Sequence, residues 1–421
     1  MCTAISSTNI LRYTEKHMTL SEELTWRGFV NQTTYRDITA IDGEPIAFYW
    51  GVDPSASSMT IGNLAAAMMV KHFIRQGHKA VLLVGGATGL IGDPDGKSEE
   101  RALKSLEEIA ANKQSIATQY KQIFGEHGFE IVDNYDWFKG MGYLEFLRDI
   151  GKHVPMRQML GREFVQSRLK EDGAGISYAE FSYSLIQGYD FLHLAREHGV
   201  TLQVCGADQW GNSIAGVDLI RRIDGKEAHV WSAPLIINKS TGVKFGKTEE
   251  GAVWLDAKLT SPVQFYQFWI NLDDEGVEDY LKIYTELSKE EIAQEMQEFN
   301  QNRAARSAQK KLAWEVTKLV HGEAAATQAE AYAEGLQTSG ASTDKDELNV
   351  KVGDSIIDAL CDSGLVSSKS EARQLLADKG VYINDVQISK ETFDASDFQD
   401  GVLSLRRGKK LQNTKTVRLD S

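Results

Sequence analysis

The sequence predicts an α/β protein: a parallel-sheet domain, then an α-helical domain and a small α+β domain. Two short apolar runs, residues 46–50 and 79–84, are typical of buried strands, and a helical pattern that starts at Thr60, with no breaker over 64–70, joins them. All six prolines lie at or before Pro262, and residues 263–337 beyond it have a helical pattern. A polar stretch then separates off a small C-terminal module.

The composition sets the domain boundaries and excludes some classes of protein. The chain has 421 residues, of which 42% are hydrophobic, enough for two or three cores. Its 46 Lys and Arg against 60 Asp and Glu give a net charge of −14, which argues against a general nucleic-acid coat, so any RNA contact must come from local patches. The predicted domains are 18–240 (parallel sheet with a helical insertion), 241–337 (a lysine-bearing loop and helices), 338–350 (linker) and 351–421 (a module with 11 basic and 11 acidic residues).

The sequence also constrains the redox environment of the protein and its relation to membranes. Cys2, Cys205 and Cys361 have no paired spacing, which favours a reducing, cytoplasmic location and no protein metal site. No apolar run approaches the roughly 18 residues of a membrane span. Residues 1–17 are rich in Ser and Thr and lack an apolar core, so we predict a disordered extension rather than a secretory signal, with Met18 as a candidate natural start.

The first candidate binding stretch lies between the two predicted strands. Asp53, Pro54 and Ser55 form a polar loop after the first strand, and Gly62 falls in the first turn of the helix that follows. The N-terminus of such a helix can hold a phosphate, and a glycine there lets a flat ligand approach the backbone. The alternative is an ordinary βαβ unit with a small-residue turn.

A second candidate stretch lies far downstream. Lys244 and Lys247 are three residues apart on a loop that contains Gly246 and is followed by Thr248. Two cations near one point are what a departing polyphosphate requires.

Three further segments carry polar groups at positions that favour a pocket. A glycine-rich run, residues 85–94, follows the second strand and ends near Asp93, although a plain glycine turn is the alternative. Residues 181–191 suit a helix that carries three polar side chains at i, i+4 and i+7 (Tyr183, Gln187 and Asp190), either lining a pocket or forming its solvated side. Residues 202–205 predict a strand, with Gly206, Asp208 and Gln209 at its carboxyl end, where parallel sheets bind ligands.

The remaining elements are predicted from their patterns alone. Residues 98–124 predict a charged amphipathic helix, 134–138 a short strand and turn, and 143–172 the helices of an insertion. In the helical domain the core candidates are Phe265, Phe268, Trp269, Tyr280, Trp314 and Val320. In the C-terminal module, residues 356–360 and 370–376 predict helices and 381–384 a strand.

Taken together, these motifs resemble the class I aminoacyl-tRNA synthetases, in particular the bacterial-type tyrosyl-tRNA synthetases, from about Met18 to the end. Residues 60–63 (TIGN) stand at that family's HIGH motif and residues 244–248 (KFGKT) at its KMSKS motif. Further matching segments, in order, are YWGVDPSASSM, VGGATGLIGDPDGKSEER, DNYDWF, FLRDIGKH, FSYSLIQGYDF, GADQWGN, SPVQFYQFWIN and RRGKK. The last module resembles the S4 RNA-binding domain.

The resemblance implies a Rossmann-like catalytic domain, an anticodon-stem helical domain, and a homodimer with residues 134–165 near its interface. It implies that ATP with Mg²⁺ activates tyrosine, which passes to the 3′ end of a tRNA. The implied tyrosine-binding residues are Tyr49, Asp93, Tyr183, Gln187, Asp190 and Gln209. Those for ATP are Gly51, Asp53, Ser55, Gly62, Gly206, Asp208 and Lys247. The implied catalytic residues are Thr60, Asn63, Lys97, Arg101, Lys244, Lys247 and Thr248, and those for tRNA are Arg406, Arg407, Lys409 and Lys410.

Three residues depart from the family pattern. Thr60 and Asn63 replace two histidines of the HIGH motif, although both can donate a hydrogen bond. Trp50 stands where the family has a small residue near the ATP ribose. Two rival functions follow: a small-molecule nucleotidyltransferase, which has no use for a C-terminal RNA module, and a catalytically inactive, synthetase-derived RNA-binding protein.

Overall fold

The structure is a computed structural model. It describes residues 18–94, 104–170, 173, 175–240, 242–243, 245–248, 251–334, 348–366, 368–384, 386–398, 401–408 and 414–419, with the backbone alone at 163–164, 247–248, 414 and 416. These residues form two compact units, Met1–Ala329 and Glu330–Ser421. The predictions for residues 1–17, Lys97, Arg101, Lys244, Lys409 and Lys410 lie outside the described residues.

The centre of the first unit is a mainly parallel sheet, which confirms the predicted α/β class. Its six described strands are β1 (Gln32–Thr33), β2 (Ala47–Val52), β3 (Lys79–Val84), β4 (Phe129–Asp133), β5 (Val200–Gly206) and β6 (His229–Ala233). Their order is β1-β6-β5-β2-β3-β4, and only the pairing of β1 with β6 is antiparallel among the described pairs. The chain runs outward in opposite directions from β2 and β5, so a topological switch point lies between them, the usual ligand site of such sheets.

Helices cover this sheet and connect its strands. They are α1 (Leu20–Arg27), α2 (Ile61–Arg75), α3 (Thr88–Ile91), α4 (Leu106–Phe124), α5 (Tyr135–Phe138), α6 (Tyr143–Asp149), α7 (Met156–Leu160), α8 (Glu163–Arg168), α9 (Tyr178–Glu197) and α10 (Trp210–Asp224). The predicted helices from Thr60 and over 181–191, and the helical insertion over 143–172, are confirmed.

Two boundaries differ from the sequence-based predictions. The helix predicted over 98–124 begins at Leu106 within the described residues, because the Ser105 hydroxyl caps it by accepting the Glu108 N–H. The strand and turn predicted over 134–138 is instead the helical turn α5. Here β4 ends at Asp133, whose Oδ1 accepts the Tyr135 N–H at 2.9 Å and turns the chain.

The other described elements of the first unit are helices, apart from the hairpin β7 (Lys247–Thr248) and β8 (Gly251–Ala252). Its helices are α11 (Pro262–Ile270), α12 (Val277–Tyr284), α13 (Lys289–Gln301), α14 (Ser307–His321) and α15 (Glu323–Ala333), the last of which runs across the division between the units. Of the predicted core residues, four are buried (Phe265, Trp269, Tyr280 and Val320). Phe268 and Trp314 are half-buried instead.

The second unit has its own sheet and core. Its described elements are β9 (Leu348–Val350), α16 (Ile356–Asp362), α17 (Lys369–Ala377), β10 (Val381–Ile383), β11 (Val386–Ile388), β12 (Val402–Arg407) and β13 (Thr414–Leu419). The sheet order is β11-β10-β12-β13-β9, with a core that includes Ile356, Leu360, Val381 and Leu405. Because β9 pairs with β13, residues 348–350 belong to this sheet, although composition alone assigns them to the linker.

None of the helices in the described parts of the chain is long and apolar enough to span a membrane. Cys205 and Cys361, the two cysteines within those parts, are free thiols.

A buried group of charges joins α1 to α2. The Glu23 carboxylate, on a residue only 4% exposed, lies 3.1 Å from Arg27 Nε, 2.6 Å from Arg75 Nη2 and 3.2 Å from His72 Nδ1. Burial alone would raise the pKa of Glu23. The adjacent His72 and the charges of Arg75 and Arg27 outweigh it and lower that pKa to about 2.

We expect this group to make the folded state acid-sensitive. The pKa of Glu23 is about 2 in the folded protein against an ordinary 4.5, so its stabilising contribution is complete above pH 4.5 and is lost as the pH falls towards 2. At about 1.4 kcal/mol for each unit of pKa, the contribution is about 3 kcal/mol. Urea denaturation between pH 3 and pH 6 should show a steeper loss of unfolding free energy in the wild type than in Glu23→Gln. Equal slopes would contradict this assignment.

Candidate active site

A cleft of about 600 Å³ opens at the carboxyl ends of β2 and β5, at the switch point of the sheet. It brings together most of the residues singled out from the sequence. Those that line it are Tyr49, Gly51, Asp53, Ser55, Thr60, Gly62, Asn63, Asp93, Tyr183, Gln187, Asp190, Gly206, Asp208 and Gln209. Trp50 also lines the cleft, but it is buried and its ring packs against Tyr120 and Phe124 of α4.

The inner end of the cleft is formed by Asp190 of α9 and Tyr49 of β2. Asp190 is fully buried, and its two carboxylate oxygens accept hydrogen bonds from Trp137 Nε1 at 2.9 Å and Asn134 Nδ2 at 3.1 Å. Burial raises the pKa of Asp190 to about 8, although these two hydrogen bonds oppose the rise. The Tyr49 hydroxyl is buried and finds no hydrogen-bond partner among the described residues. This end therefore presents an acceptor and a hydroxyl to a polar atom of a ligand.

Asn134 and Trp137, whose hydrogen bonds hold Asp190 in place, were not predicted from the sequence. They follow the carboxyl end of β4, and the carboxyl ends of the parallel strands form the edge of the sheet at which ligands bind. However, an asparagine and a tryptophan after a strand have many ordinary explanations. Their link to Asp190 is a contact between distant parts of the chain, and such a contact cannot be read from the sequence.

A second network fixes Asp53 beside α9. Its carboxylate accepts hydrogen bonds from the Tyr183 hydroxyl and the Thr88 hydroxyl, both at 2.6 Å. The network reaches the inner end of the cleft, because Asn134 Nδ2 also lies 3.0 Å from the Thr88 hydroxyl. A Cβ at Gly85 would lie 2.1 Å from Asp53 Oδ1, so this glycine is what lets the carboxylate approach the backbone. Asp53, which the resemblance assigns to ATP, thus contacts Tyr183, which it assigns to tyrosine.

Two amide oxygens face the cleft without a partner in the described parts of the chain. They belong to Gln187 of α9 and to Gln203 of β5, and both are buried. A buried polar atom left unpaired costs about 1–3 kcal/mol, so these atoms favour a ligand with hydrogen-bond donors. Gln203 was not predicted, although it is the polar residue within an apolar strand, and that signal was available.

Another part of the cleft lining comes from residues around the start of α10. Gln209 donates a hydrogen bond to Asp93 through Nε2 and accepts one from Asn212 Nδ2 at 3.1 Å. Asn212 in turn accepts a hydrogen bond from Arg162 at 2.6 Å. Asp93 and Gln209, 116 residues apart in sequence, are therefore in direct contact.

The outer end of the cleft contains the N-terminus of α2. Asn63 Oδ1 accepts hydrogen bonds from both the N–H and the hydroxyl of Thr60, each at 3.0 Å. Because the Thr60 hydroxyl donates to Asn63, the donor that remains for a ligand is the Asn63 Nδ2 group. Gly62 lies exposed in the first turn, where a helix leaves its N–H groups without intrahelical acceptors.

The lysine-bearing loop lies against this same helix end. Gly246 has φ +88°, and a Cβ there would lie 2.6 Å from Ile61 Cγ1, so a side chain would separate the two segments. The Ile61 N–H donates to the Val253 carbonyl and the Val253 N–H to the Gly246 carbonyl, both at 3.1 Å. The backbone of residues 245–248 is thereby held at the start of α2. Lys247 and Thr248 form β7, and nothing is described of their side chains or of Lys244.

In the second unit, the two described arginines of the predicted RNA-binding group make internal contacts. Arg406 is 8% exposed, and its guanidinium lies 4.7 Å from the centre of the Tyr382 ring. Arg407 forms an ion pair with Glu371 at 3.0 Å and donates to the Leu365 carbonyl at 3.1 Å. Arg406 is almost buried and would have to move to reach a phosphate, whereas the Arg407 side chain is 40% exposed and keeps further N–H donors.

Family models and curated relatives match almost the whole chain. The family described as tRNA synthetases class I (W and Y) matches residues 42–336, and the Tyrosine--tRNA ligase SYY-like C-terminal domain matches 340–413. The Tyrosine--tRNA ligase of Bifidobacterium longum (strain DJO10A) is 44% identical and aligns with 93% of this chain and 95% of its own length. That of Limosilactobacillus reuteri is 41% identical, over 93% and 98%.

Solved structures agree with this likeness. A C-terminally truncated mitochondrial tyrosyl-tRNA synthetase from Aspergillus nidulans is 30% identical, with a TM-score of 0.69 over 76% of this chain and 95% of that one. The tyrosyl-tRNA synthetase from Archaeoglobus fulgidus, at 14% identity and a TM-score of 0.55 over 74% and 99%, shares the fold.

Proposed function

The chain belongs to the tyrosine–tRNA ligases, a branch of the class I tRNA synthetases, and we propose that its cleft joins tyrosine to ATP before transfer to tRNA. The observation that carries this proposal is the inner end of the cleft, where Asp190 lies with the unpartnered Tyr49 hydroxyl. A tyrosine side chain fits both, because its phenol can donate to one and accept from the other. Phenylalanine would leave these buried groups unpaired, at about 1–3 kcal/mol each.

The amino group of tyrosine is proposed to bind among Asp93, Tyr183 and Gln187. The Tyr183 hydroxyl donates its proton to Asp53, so its oxygen remains an acceptor for an ammonium group. Gln187 and Gln203 supply the two unpartnered amide oxygens. Gln209 would contact the rest of the amino acid.

ATP is proposed to lie at the outer end, with its phosphates between α2 and the lysine-bearing loop. The Asn63 amide, the first turn at Gly62, and Lys244, Lys247 and Thr248 would surround them, and Lys97 and Arg101 remain predicted contacts. The remaining predicted nucleotide contacts are Gly51, Ser55, Gly206 and Asp208. Mg²⁺ would be carried by phosphate oxygens, since Asp53 already accepts two hydroxyl hydrogen bonds.

The first step needs no nucleophile from the protein. The tyrosine carboxylate attacks the α-phosphorus in line, a mixed anhydride forms, and pyrophosphate leaves with the electron pair of the broken P–O bond. The protein contributes position and positive charge on the leaving group. In the second step a ribose hydroxyl of the tRNA 3′ end attacks the anhydride carbonyl, and AMP leaves.

Tyrosine-dependent ATP–pyrophosphate exchange tests this function. We expect exchange with tyrosine and none above background with phenylalanine or tryptophan at equal concentration. Folded protein that gives no exchange with tyrosine would refute the proposal and favour the inactive RNA-binding alternative. Exchange with phenylalanine at a similar rate would refute the assignment of Asp190 and Tyr49.

The C-terminal module is proposed to bind tRNA as an S4-like domain. Its match to the C-terminal domain of tyrosine–tRNA ligases supports this, as does the run of basic residues that includes Arg406, Arg407, Lys409 and Lys410. A cytoplasmic location also stays a prediction, supported by the free thiols of Cys205 and Cys361.

A homodimer is proposed, with the helical insertion at its interface. Leu144 is 78% exposed and Met156 56% exposed, and Tyr143, Leu160 and Tyr178 nearby are also exposed. We expect light scattering to give twice the chain mass for the wild type and the chain mass for the double variant Leu144→Glu, Met156→Glu. The control is the double variant Val352→Glu, Val386→Glu, which puts the same two charges on exposed valines of the second unit. A Leu144→Glu, Met156→Glu variant that remains dimeric would show that the interface lies elsewhere.

A further inference from the structure

The lysine-bearing loop is anchored by an aromatic side chain that lies between its two lysines. Phe245 is 4% exposed, and its ring stacks on Tyr280 of α12 with centroids 4.5 Å apart and planes at 26°. Tyr284 of α12 and Trp269 of α11 lie 5.7 and 5.8 Å away. Aromatic pairs at such distances attract each other beyond the effect of burial. The position of the loop therefore depends on the position of α12.

The C-terminal end of α12 is held by Arg27 of α1. The last carbonyls of a helix lack intrahelical donors, and the Arg27 guanidinium supplies them. It donates to the carbonyls of Lys282 at 2.7 Å, Thr285 at 3.0 Å and Leu287 at 2.8 Å. Arg27 is only 2% exposed, and its planar fork matches three acceptors that a lysine could not reach together.

Arg27 is in turn fixed to α2 through Glu23. Glu23 Oε1 binds Arg27 Nε, and the same oxygen lies 2.6 Å from Arg75 and 3.2 Å from His72, near the C-terminus of α2. The N-terminus of α2 carries Gly62 and Asn63 at the outer end of the cleft. An α-helix of 15 residues transmits position along its length with little bending.

We propose that Arg27 is a positioning residue that sets the separation between the two halves of the phosphate site. The inference rests on the function proposed above, because it concerns where the backbone of residues 245–248 lies relative to α2 when pyrophosphate leaves. The contacts run without a break from α2 through Glu23, Arg27 and α12 to Phe245. Arg27 touches no reacting atom, and its effect is exerted through the loop.

Arg27→Lys tests this role, since it keeps the positive charge beside Glu23 but removes the planar guanidinium that donates to three carbonyls. We expect the rate constant for adenylate formation to fall about tenfold or more, because small displacements of reacting groups are costly. The dissociation constant for tyrosine should stay within about twofold, since the inner end of the cleft is held by other residues. A merely destabilising role would leave both values unchanged in the folded enzyme, and that result would overturn the proposal.

Lys71→Met is the matched control. Lys71 of α2 pairs with Glu286, just after α12, at 2.8 Å, and it is more exposed, so it joins the same two segments from outside. We expect no change in adenylate formation with this variant. If Lys71→Met slowed the reaction as much as Arg27→Lys, the special role of the buried fork would be refuted.

A double-mutant cycle keeps the test independent of stability. Phe245→Leu retains an apolar side chain in the same aromatic surroundings and should also slow adenylate formation. If Arg27 acts through Phe245, the two substitutions together should slow the step by less than the product of their separate effects. If the double variant slows the step by the full product of the two separate effects, the proposed linkage is overturned. Wild-type enzyme without exchange activity would instead refute the proposed function, so the two failures are distinguishable.

Discussion

Replacing Asp190 with alanine is expected to reduce tyrosine activation by roughly one to three orders of magnitude. The substrate hydroxyl would lose its charged acceptor, and the N–H groups of Trp137 and Asn134 would lose theirs. The loss of a charged partner at a buried hydrogen bond costs roughly 2–4 kcal/mol, which lowers kcat/KM for tyrosine by about 30- to 1,000-fold. Pyrophosphate exchange measures this loss. Asp136→Asn, an exposed carboxylate that pairs with Lys139, is the control and should be neutral.

Activation by Asp190→Ala within threefold of the wild type would show that the pocket is assigned wrongly. The pH dependence offers an independent check. The pKa of Asp190 is about 8 in the ligand-free cleft, so a phenol that donates to the carboxylate must displace a proton below that pH. Tyrosine affinity of the wild type should therefore rise between pH 6.5 and 8 and level off above it. An affinity that falls with rising pH would mean that neutral Asp190 donates to the substrate instead.

Removal of the C-terminal module is expected to separate the two steps of the reaction. Every cleft residue discussed above lies in the first unit, and α15 ends at Ala333. A chain that ends after residue 333 should therefore form tyrosyl-adenylate at the wild-type rate. Transfer to tRNA should fall at least about tenfold at physiological salt, and tRNA binding should depend less steeply on salt concentration, because phosphate contacts are lost.

The double variant Lys409→Ala, Lys410→Ala in the full chain provides the matched comparison. It should lower the salt dependence of tRNA binding in the same direction without removing any folded element. Transfer at unchanged efficiency by the truncated chain at ordinary salt would refute the assignment of this module as an RNA-binding domain.

Local pattern predicted most of the fold, because β2 and β3 are short apolar runs, α2 and α9 have helical patterns, and all four are followed by glycine or polar residues. The cleft residues at the start of α2, on one face of α9 and after β5 followed from local pattern, whereas Tyr49 and Gly51 of β2 followed only from the family resemblance. The α5 turn was predicted wrongly because the side chain of Asp133 decides it. Asn134 and Trp137 were missed because their importance comes from contacts across the fold rather than from their neighbours in sequence. Gln203 was missed although its place within an apolar strand was visible in the sequence.

The contacts of Arg27 also constrain the order in which the chain acquires its structure during synthesis. Its three carbonyl acceptors lie 255 to 260 residues downstream. At about 5–20 residues per second, they leave the ribosome roughly 13–50 s after Arg27. Until then a nascent α1 cannot bury its arginine with all partners in place, and an unpaired buried charge is unfavourable. The N-terminal helix is therefore expected to dock late, so that an interrupted chain lacking α12 would not present a finished phosphate site.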